Sequence, residues 1–371
     1  MEIARLSEIL RESGIVGAGG AGFPTYGKLS DKADTILMNC AECEPLLKLH
    51  RQLLGTHARE IMQAFALIGE TVGAKEMIIG IKKEYKGTIA ALHQYIDEFP
   101  GMRIHELPGA YPMGDEVVLI YEATGRVVRP GGLPIECGVA VFNVETLWNV
   151  YRAVWEQRPV TEKYVTVVGE VEHPVTVSGA GGKFSSARYG HGRQVRGLTR
   201  CICWAVHDGQ FRQPDQPVTK TTNAIIVLSR NHPLVLKKQS RFSIDVARAA
   251  SICCQCQTCT DLCPRYNLGH PIRAPSVYAG GCKPGFPGSG TVSGHHVLLL
   301  LRPLRTLQLS PGTGAAEHDY RVQERVEEGR RQGAGALIAS RSAVPGLSPG
   351  AGGASGKSSG TGEVQCAGAA G

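Results

Sequence analysis

Apolar residues follow two rhythms along this chain. Up to about residue 155, short continuous apolar runs alternate with longer stretches whose apolar positions return every three or four residues. Thr35-Ile36-Leu37-Met38 and Met77-Ile78-Ile79-Gly80-Ile81 read as buried strands, and Arg103 to Leu107 as another. Helical stretches separate them, from about Pro45 to Val72 and from Thr88 to Phe99, the second with Ala90, Leu92, Tyr95 and Ile96 near one face. MEIARLSEILRESG at the start reads as a short amphipathic helix. Strands alternating with helices imply a parallel, layered α/β sheet.

From Lys163 the rhythm shortens. Tyr164 to Val171, Val175-Thr176-Val177 and Ala224 to Leu228 read as strands of a small β-rich module, followed by a helix around Ile244–Ala250 and a cluster of cysteines. The predicted organisation is an α/β domain over 1–155, a β-rich module over 160–235 and a cysteine segment over 240–275. Residues 179–213 have no clear period and are rich in Arg and Gly, and the tail, 276–371, is expected to be disordered on composition.

Composition adds little: 42% apolar, 20% charged and a formal charge of +7 suit a globular chain and do not mark a nucleic-acid binder. No run reaches the roughly 18 apolar residues of a membrane-spanning helix, and the first residues lack a signal-peptide core. The expected location is the cytoplasm.

Five of the twelve cysteines crowd between Cys253 and Cys263, which is metal-ligand spacing rather than a disulfide framework. Cys253-x2-Cys256-x2-Cys259-x3-Cys263-Pro264 is the bacterial ferredoxin pattern for a [4Fe–4S] cluster. A zinc knuckle would instead pair two Cys-x2-Cys hairpins across a longer loop. In two-cluster ferredoxins the fourth cysteine serves the other cluster, yet only Cys282 and Cys366 follow Cys263. Cys40 and Cys43 are also spaced like ligands, and no nucleophile elbow or Walker loop is present.

Near the N-terminus, Gly17-Ala18-Gly19-Gly20-Ala21-Gly22-Phe23-Pro24-Thr25 is followed by Lys28. Closely spaced glycines let backbone N–H groups approach an anion, although on the glycines alone an ordinary turn stays open. The string GAGGAGFPTYGKL resembles the flavin-mononucleotide loop of the NADH-binding flavoprotein subunit of respiratory complex I. Three further segments resemble that family in the same order: Asn39-Cys40-Ala41-Glu42-Cys43-Glu44-Pro45, Tyr111-Pro112-Met113-Gly114-Asp115-Glu116 and Phe142-Asn143-Val144-Glu145-Thr146-Leu147.

The resemblance implies a Rossmann-type flavin domain, FMN and NAD(H) as cofactors, and a role for each matching residue. Gly17, Gly19, Gly20, Gly22 and Lys28 would hold the flavin phosphate and ribityl chain. Asn39, Glu42, Gly114, Asp115 and Asn143 would line the flavin, and Phe23 would stack near the nicotinamide with Glu44 and Glu116 beside it. Ala18, Ala41 and Phe142 depart from the family's arginine, aspartate and asparagine, which bears on nucleotide affinity more than on flavin.

AECEPLL, Gly131-Gly132-Leu133-Pro134 and DQPVTKTT (Asp215 to Thr222) resemble the C subunit of Rnf-type complexes, and more closely the cobalamin reductases and the proline-reductase electron-transfer proteins. That likeness covers about residues 5–178 and 214–273. It implies that the middle module is a β-grasp domain of the soluble-ligand-binding (SLBB-like) type and that a partial ferredoxin domain follows. The implied function is electron transfer from NADH through FMN to the cluster and on to a partner. That partner would be an acceptor protein, a cobalamin or ferredoxin system, or a complex peripheral to the inner membrane.

A flavin-free electron wire or scaffold is the alternative, as is a degenerate product lacking the second cluster. The segment Val206 to Gln213, back-translated and read one base later, gives Ser-Met-Met-Gly-Ser-Phe-Val-Asn, close to the family's Pro-Met-Met-Gly segment. We therefore hypothesise frame errors bounding roughly 179–213 and another after about Ala274; resequencing that found an unbroken frame across both would sink the idea.

Overall fold

The computed structural model describes residues 1–171, 173–180, 217–239 and 251–272, with the short pieces 182–183, 200–203 and 211–212 and the positions 244, 248 and 249. The frame hypothesis falls almost wholly outside these residues, as does most of the helix expected at 244–250.

The first layer is a four-stranded parallel sheet of β1 (Thr35–Asn39), β2 (Glu76–Lys82), β3 (Met102–Leu107) and β4 (Val139–Asn143), in the order β3-β2-β1-β4. Both faces are covered, which is why the strands read as unbroken apolar runs. Ile36, Met38, Ile79, Ile81, Ala140 and Phe142 point to the face packed by α1 (Ile3–Glu12), α2 (Leu49–Val72), α3 (Lys86–His93) and α5 (Val144–Val154). The alternate residues Leu37, Ile78, Val139 and Val141 meet α4 (Glu116–Thr124), through Val117 to Ile120. Leu54, Ile61, Met62, Phe65 and Ile68 of α2 are fully buried, each worth about 1.5–3 kcal/mol relative to exposure.

The connections through α2 and α3 lie on one face, and the connection through α4 lies on the other. Strand order therefore reverses between β1 and β4. Ligands of open α/β sheets bind in the crevice outside the carboxyl ends of strands at such a point.

The elements depart from the sequence reading in detail. α2 starts at Leu49 rather than near Pro45, because Leu46 takes φ +70° and breaks the helical path. It kinks at His57, which has φ −133° and stacks on Trp148 of α5 with ring centroids 4.1 Å apart. α3 ends at His93, and its buried face is Thr88, Ile89 and Leu92, with Ala90 exposed.

The second module is a mixed sheet. β5 (Glu162–Gly169) pairs antiparallel with β6 (Val175–Ala180), while β11 (Ala224–Ser229) runs parallel to β5 and joins it to β8 (Arg200–Cys203) and β9 (Phe211–Arg212). Two residues each of β7 (Gly182–Lys183) and β10 (Pro217–Val218) form a separate pair. Among the described residues, short helices follow: α6 (Pro233–Gln239), α7 (Thr258–Asp261) and α8 (Pro264–Asn267).

Candidate functional site

The three other sequence segments converge at the switch point, where the Phe142–Leu147 segment touches the glycine loop through Asn143 and Thr146. β1 and β4 are in register so that Asn39 and Asn143, their last residues, are cross-strand partners. Asn143 caps α5, its Oδ1 accepting the Glu145 N–H at 2.9 Å. That assignment leaves Asn143 Nδ2 facing His50 Nε2 at 2.9 Å. His50 Nε2 must then accept, which puts the ring proton on Nδ1, and Nδ1 is buried without a partner. A bound acceptor would satisfy it.

Asn39 ties the other wall. Its Nδ2 donates to the Gly114 carbonyl at 3.0 Å and its Oδ1 accepts the Ala41 N–H at 3.1 Å. The Gly114 N–H donates to Cys43 Sγ at 2.8 Å. A Cβ on Gly114 would overlap the Ala41 carbonyl, so this contact admits only glycine. The next residue, Asp115, caps α4 by accepting from Val117 and Val118 at 3.1 and 3.3 Å.

The glycine loop closes on itself through the Gly17 N–H to the Phe23 carbonyl at 2.9 Å. The Ala18 N–H donates to Thr146 Oγ1 at 3.0 Å, anchoring the loop to α5. A Cβ on Gly19 would overlap Asn143 Nδ2, whereas one on Gly20 would meet nothing within 4 Å. Gly22 needs its φ of +75° and sits where a Cβ would be 2.9 Å from Thr221 of the second module. Phe23 is half exposed.

Several charges are already engaged. Lys28 Nζ donates to the Val141 carbonyl at 2.7 Å and lies 3.6 Å from Glu116. The Glu42 carboxylate, only 6% exposed, accepts the His50 N–H at 3.1 Å and stands 3.5 Å from Arg51. Glu42 thus braces the start of α2, and its carbonyl accepts from Lys82 and Tyr85. Glu44 lies in the loop between β1 and α2 and is partly buried. Burial pushes the Cys40 thiol up, and pushes Cys43 up against the opposing pull of the Gly114 N–H and Lys82. Cys43 Sγ is occupied by the Gly114 N–H, and among the described residues no third His, Cys, Asp or Glu joins Cys40 and Cys43 to hold a metal ion.

Residues 10–152 match the family of the Nuo51 FMN-binding domain. The chain is 37% identical to cobalamin reductase PduS of Salmonella typhimurium over 280 residues, 72% of this chain and 59% of that protein. It is 30% identical to the C subunit of the ion-translocating oxidoreductase complex of Erwinia tasmaniensis, over 71% of this chain and 32% of that one. A solved NAD+-reducing [NiFe]-hydrogenase chain superposes with a TM-score of 0.55 at 21% identity, covering 72% of this chain and 52% of that one, and supports the fold. Residues 10–152 carry the likeness to the Nuo51 FMN-binding domain, and the chain spans under two thirds of the length of these relatives.

Beyond the Nuo51 domain, the second module reaches back to the glycine loop. Lys163 of β5, 4% exposed, pairs with Glu145 of α5, itself 2% exposed. Lys163 Nζ also lies 3.5 Å from the Ala18 carbonyl and 3.3 Å from Asn223 Oδ1. Lys220 donates to the Gly14 carbonyl. The cysteine segment reaches the other wall, where Arg265 of α8 pairs with Asp115. Among residues the sequence did not single out, Glu145 and Thr146 sat inside a recognised segment. Lys163, His50 and Arg265 carried no local signal, since each matters through a partner far along the chain.

The four motif cysteines lie on the loop and short helices from Cys253 to Cys263. Gln255 and Gln257 between them adopt φ of +60° and +62°, turning the backbone sharply at alternate positions. Cys256 is exposed, and the Thr258 hydroxyl donates to its sulfur at 3.3 Å, holding its thiol below the usual value. Among the described residues no three His, Cys, Asp or Glu side chains are assembled to hold a metal ion. The donor chemistry fits an iron–sulfur cluster; the thiols are not gathered. His270 is buried against the Val128 carbonyl at 3.0 Å and is structural.

Proposed function

We propose that this chain is an NADH-dependent oxidoreductase subunit passing electrons through FMN to a [4Fe–4S] cluster and on to a partner. The carrying observation is the register pair Asn39 and Asn143 at the switch point, walled by two glycine contacts, Gly19 and Gly114, that leave no room for a Cβ. The cleft fits a flavin by its own chemistry. It has an open Gly20, a buried His50 Nδ1 lacking an acceptor, and backbone N–H groups of a glycine loop that suit a phosphate.

Bound there, the flavin would turn a two-electron hydride donor into single-electron output. The chain's part is positioning and electrostatics. Gly19, Gly20 and Gly22 would offer amides to the phosphate, Gly17 would hold the loop closed through its N–H to the Phe23 carbonyl, and Lys28 would supply positive charge beside them. Asn39, Gly114, Asp115 and Asn143 would line the ring system, with Glu42 holding the start of α2 so that His50 faces the group. Phe23, half exposed, would cover the nicotinamide, and Glu44 and Glu116 would shape that end. Cys253, Cys256, Cys259 and Cys263 would bind the cluster as thiolates. The PduS relatives suggest a cobalamin or a cobalamin-reducing system as the acceptor, and the ion-translocating relatives suggest a membrane-bound assembly. Among the described residues no helix is long and apolar enough to cross a membrane.

Anaerobic purification followed by FMN, iron and sulfide assays tests this reading. The expected result is one FMN and about four irons per chain, with NADH bleaching the flavin band. Iron without flavin would favour the electron-wire alternative, and neither would overturn the reading.

A further inference from the structure

Arg265 stands two positions past Cys263, the last motif cysteine, and its guanidinium forks onto the Asp115 carboxylate. Nη2 lies 2.6 Å from Oδ2, and Nε lies 3.1 and 3.2 Å from Oδ2 and Oδ1. The pair is shielded, with side chains 24% and 20% exposed. Asp115 is part of the cleft wall. It caps α4, the preceding Gly114 bonds Asn39 and Cys43, and the following Glu116 faces Lys28. The rest of the segment is seated on the same face. Leu268 packs against the α4 cluster, His270 meets the Val128 carbonyl and Ile272 is buried.

We infer that Arg265 is a positioning residue that latches the cysteine segment to the wall of the flavin cleft and so sets electron transfer between the two groups. The inference rests on the flavin and cluster reading given above. The step it serves moves one electron from reduced flavin to oxidised cluster: the flavin is oxidised, the cluster is reduced, and no bond forms or breaks at Arg265. A planar fork gripping one carboxylate at two points fixes orientation as well as distance, which a lysine ammonium does not. Only Pro264 separates the latch from a cluster cysteine, so a shift of the latch moves that cysteine directly.

The test compares the full-length wild type with Arg265→Met and Arg265→Lys, prepared anaerobically, by two readouts. The first is hydrogen–deuterium exchange at the amides of residues 262–272, where Asn267, Leu268 and His270 are bonded within the segment. The second is stopped-flow mixing with NADH, following flavin and cluster bleaching separately. Arg265→Met is expected to keep its flavin content and flavin-bleaching rate, to exchange faster over 262–272, and to slow cluster bleaching by about tenfold or more. Arg265→Lys should recover part of the lost rate. Unchanged exchange, or unchanged cluster bleaching, in Arg265→Met overturns the latch. If the wild type holds no flavin, the functional reading fails, and the exchange readout alone, which needs neither cofactor, decides whether the latch holds.

Discussion

The cleft at the switch point and the cysteine segment are built by opposite means. In the cleft each polar group is fixed by the core beneath it: Asn39 and Asn143 end buried strands, and Asp115 and Asn143 cap helices that bury an apolar face. The cysteine segment has two four-residue helices, exposed residues such as Ile252 and Leu262, and thiols that are not brought together. On the reading proposed above, the cleft would be made before its ligand arrives, whereas the cysteine segment would have its shape completed by binding, since thiolate sites gain their order from the metal.

The sharpest way to break this contrast is at the buried pair behind the glycine loop. Lys163→Met leaves Glu145 charged and buried and is expected to cost about 3–5 kcal/mol in urea denaturation. The double variant Lys163→Met with Glu145→Leu should recover much of that loss. Gly114→Ala comes next, because its Cβ must push the Ala41 carbonyl away. About 1–3 kcal/mol should be lost, and FMN content per chain should fall further than stability alone explains.

A third effect is read in pH. Burial against Trp148 holds His57 below its ordinary 6.5, with Glu60 and Glu156 opposing and Arg152 assisting. The unfolded chain therefore takes up the proton first on acidification. Stability from neutral His57 is complete above pH 6.5 and is lost as pH falls through the lower folded value. Denaturation midpoints of His57→Phe should lack that component of the decline. The smallest effect belongs to the other region: Cys256→Ser in iron-free protein should stay within about 0.5 kcal/mol of wild type, while abolishing the iron content expected of the holoprotein.

Much of the sheet was legible because strands covered on both faces leave unbroken apolar runs, as at Ile36 to Met38 and Met77 to Ile79. The glycine loop offered an anion-binding turn through its glycines, but it and the Asn-bearing segments were marked as a flavin site only by their resemblance to the complex I flavoprotein family. The start of α2 was misplaced because Leu46 adopts a left-handed conformation that no apolar pattern announces. The roles of Glu42 and Asp115 were only half legible. Both sit in segments that reach the candidate cleft, but their carboxylates are turned to Arg51 and Arg265, partners that a local pattern does not supply. His50 was missed for the same reason: only the folded contact with Asn143 fixes its tautomer.

The Lys163–Glu145 pair has a consequence for anyone who would transplant this chain in pieces. The loop between α5 and β5 is where sequence and topology invite a cut, and the flavin-binding family match ends at residue 152. A graft ending there would carry a buried carboxylate stripped of its counter-ion, directly under the glycine loop. The modular boundary seen by eye is therefore not a boundary in free energy, and a portable version of the domain must either take the first strand of its neighbour along or redesign position 145.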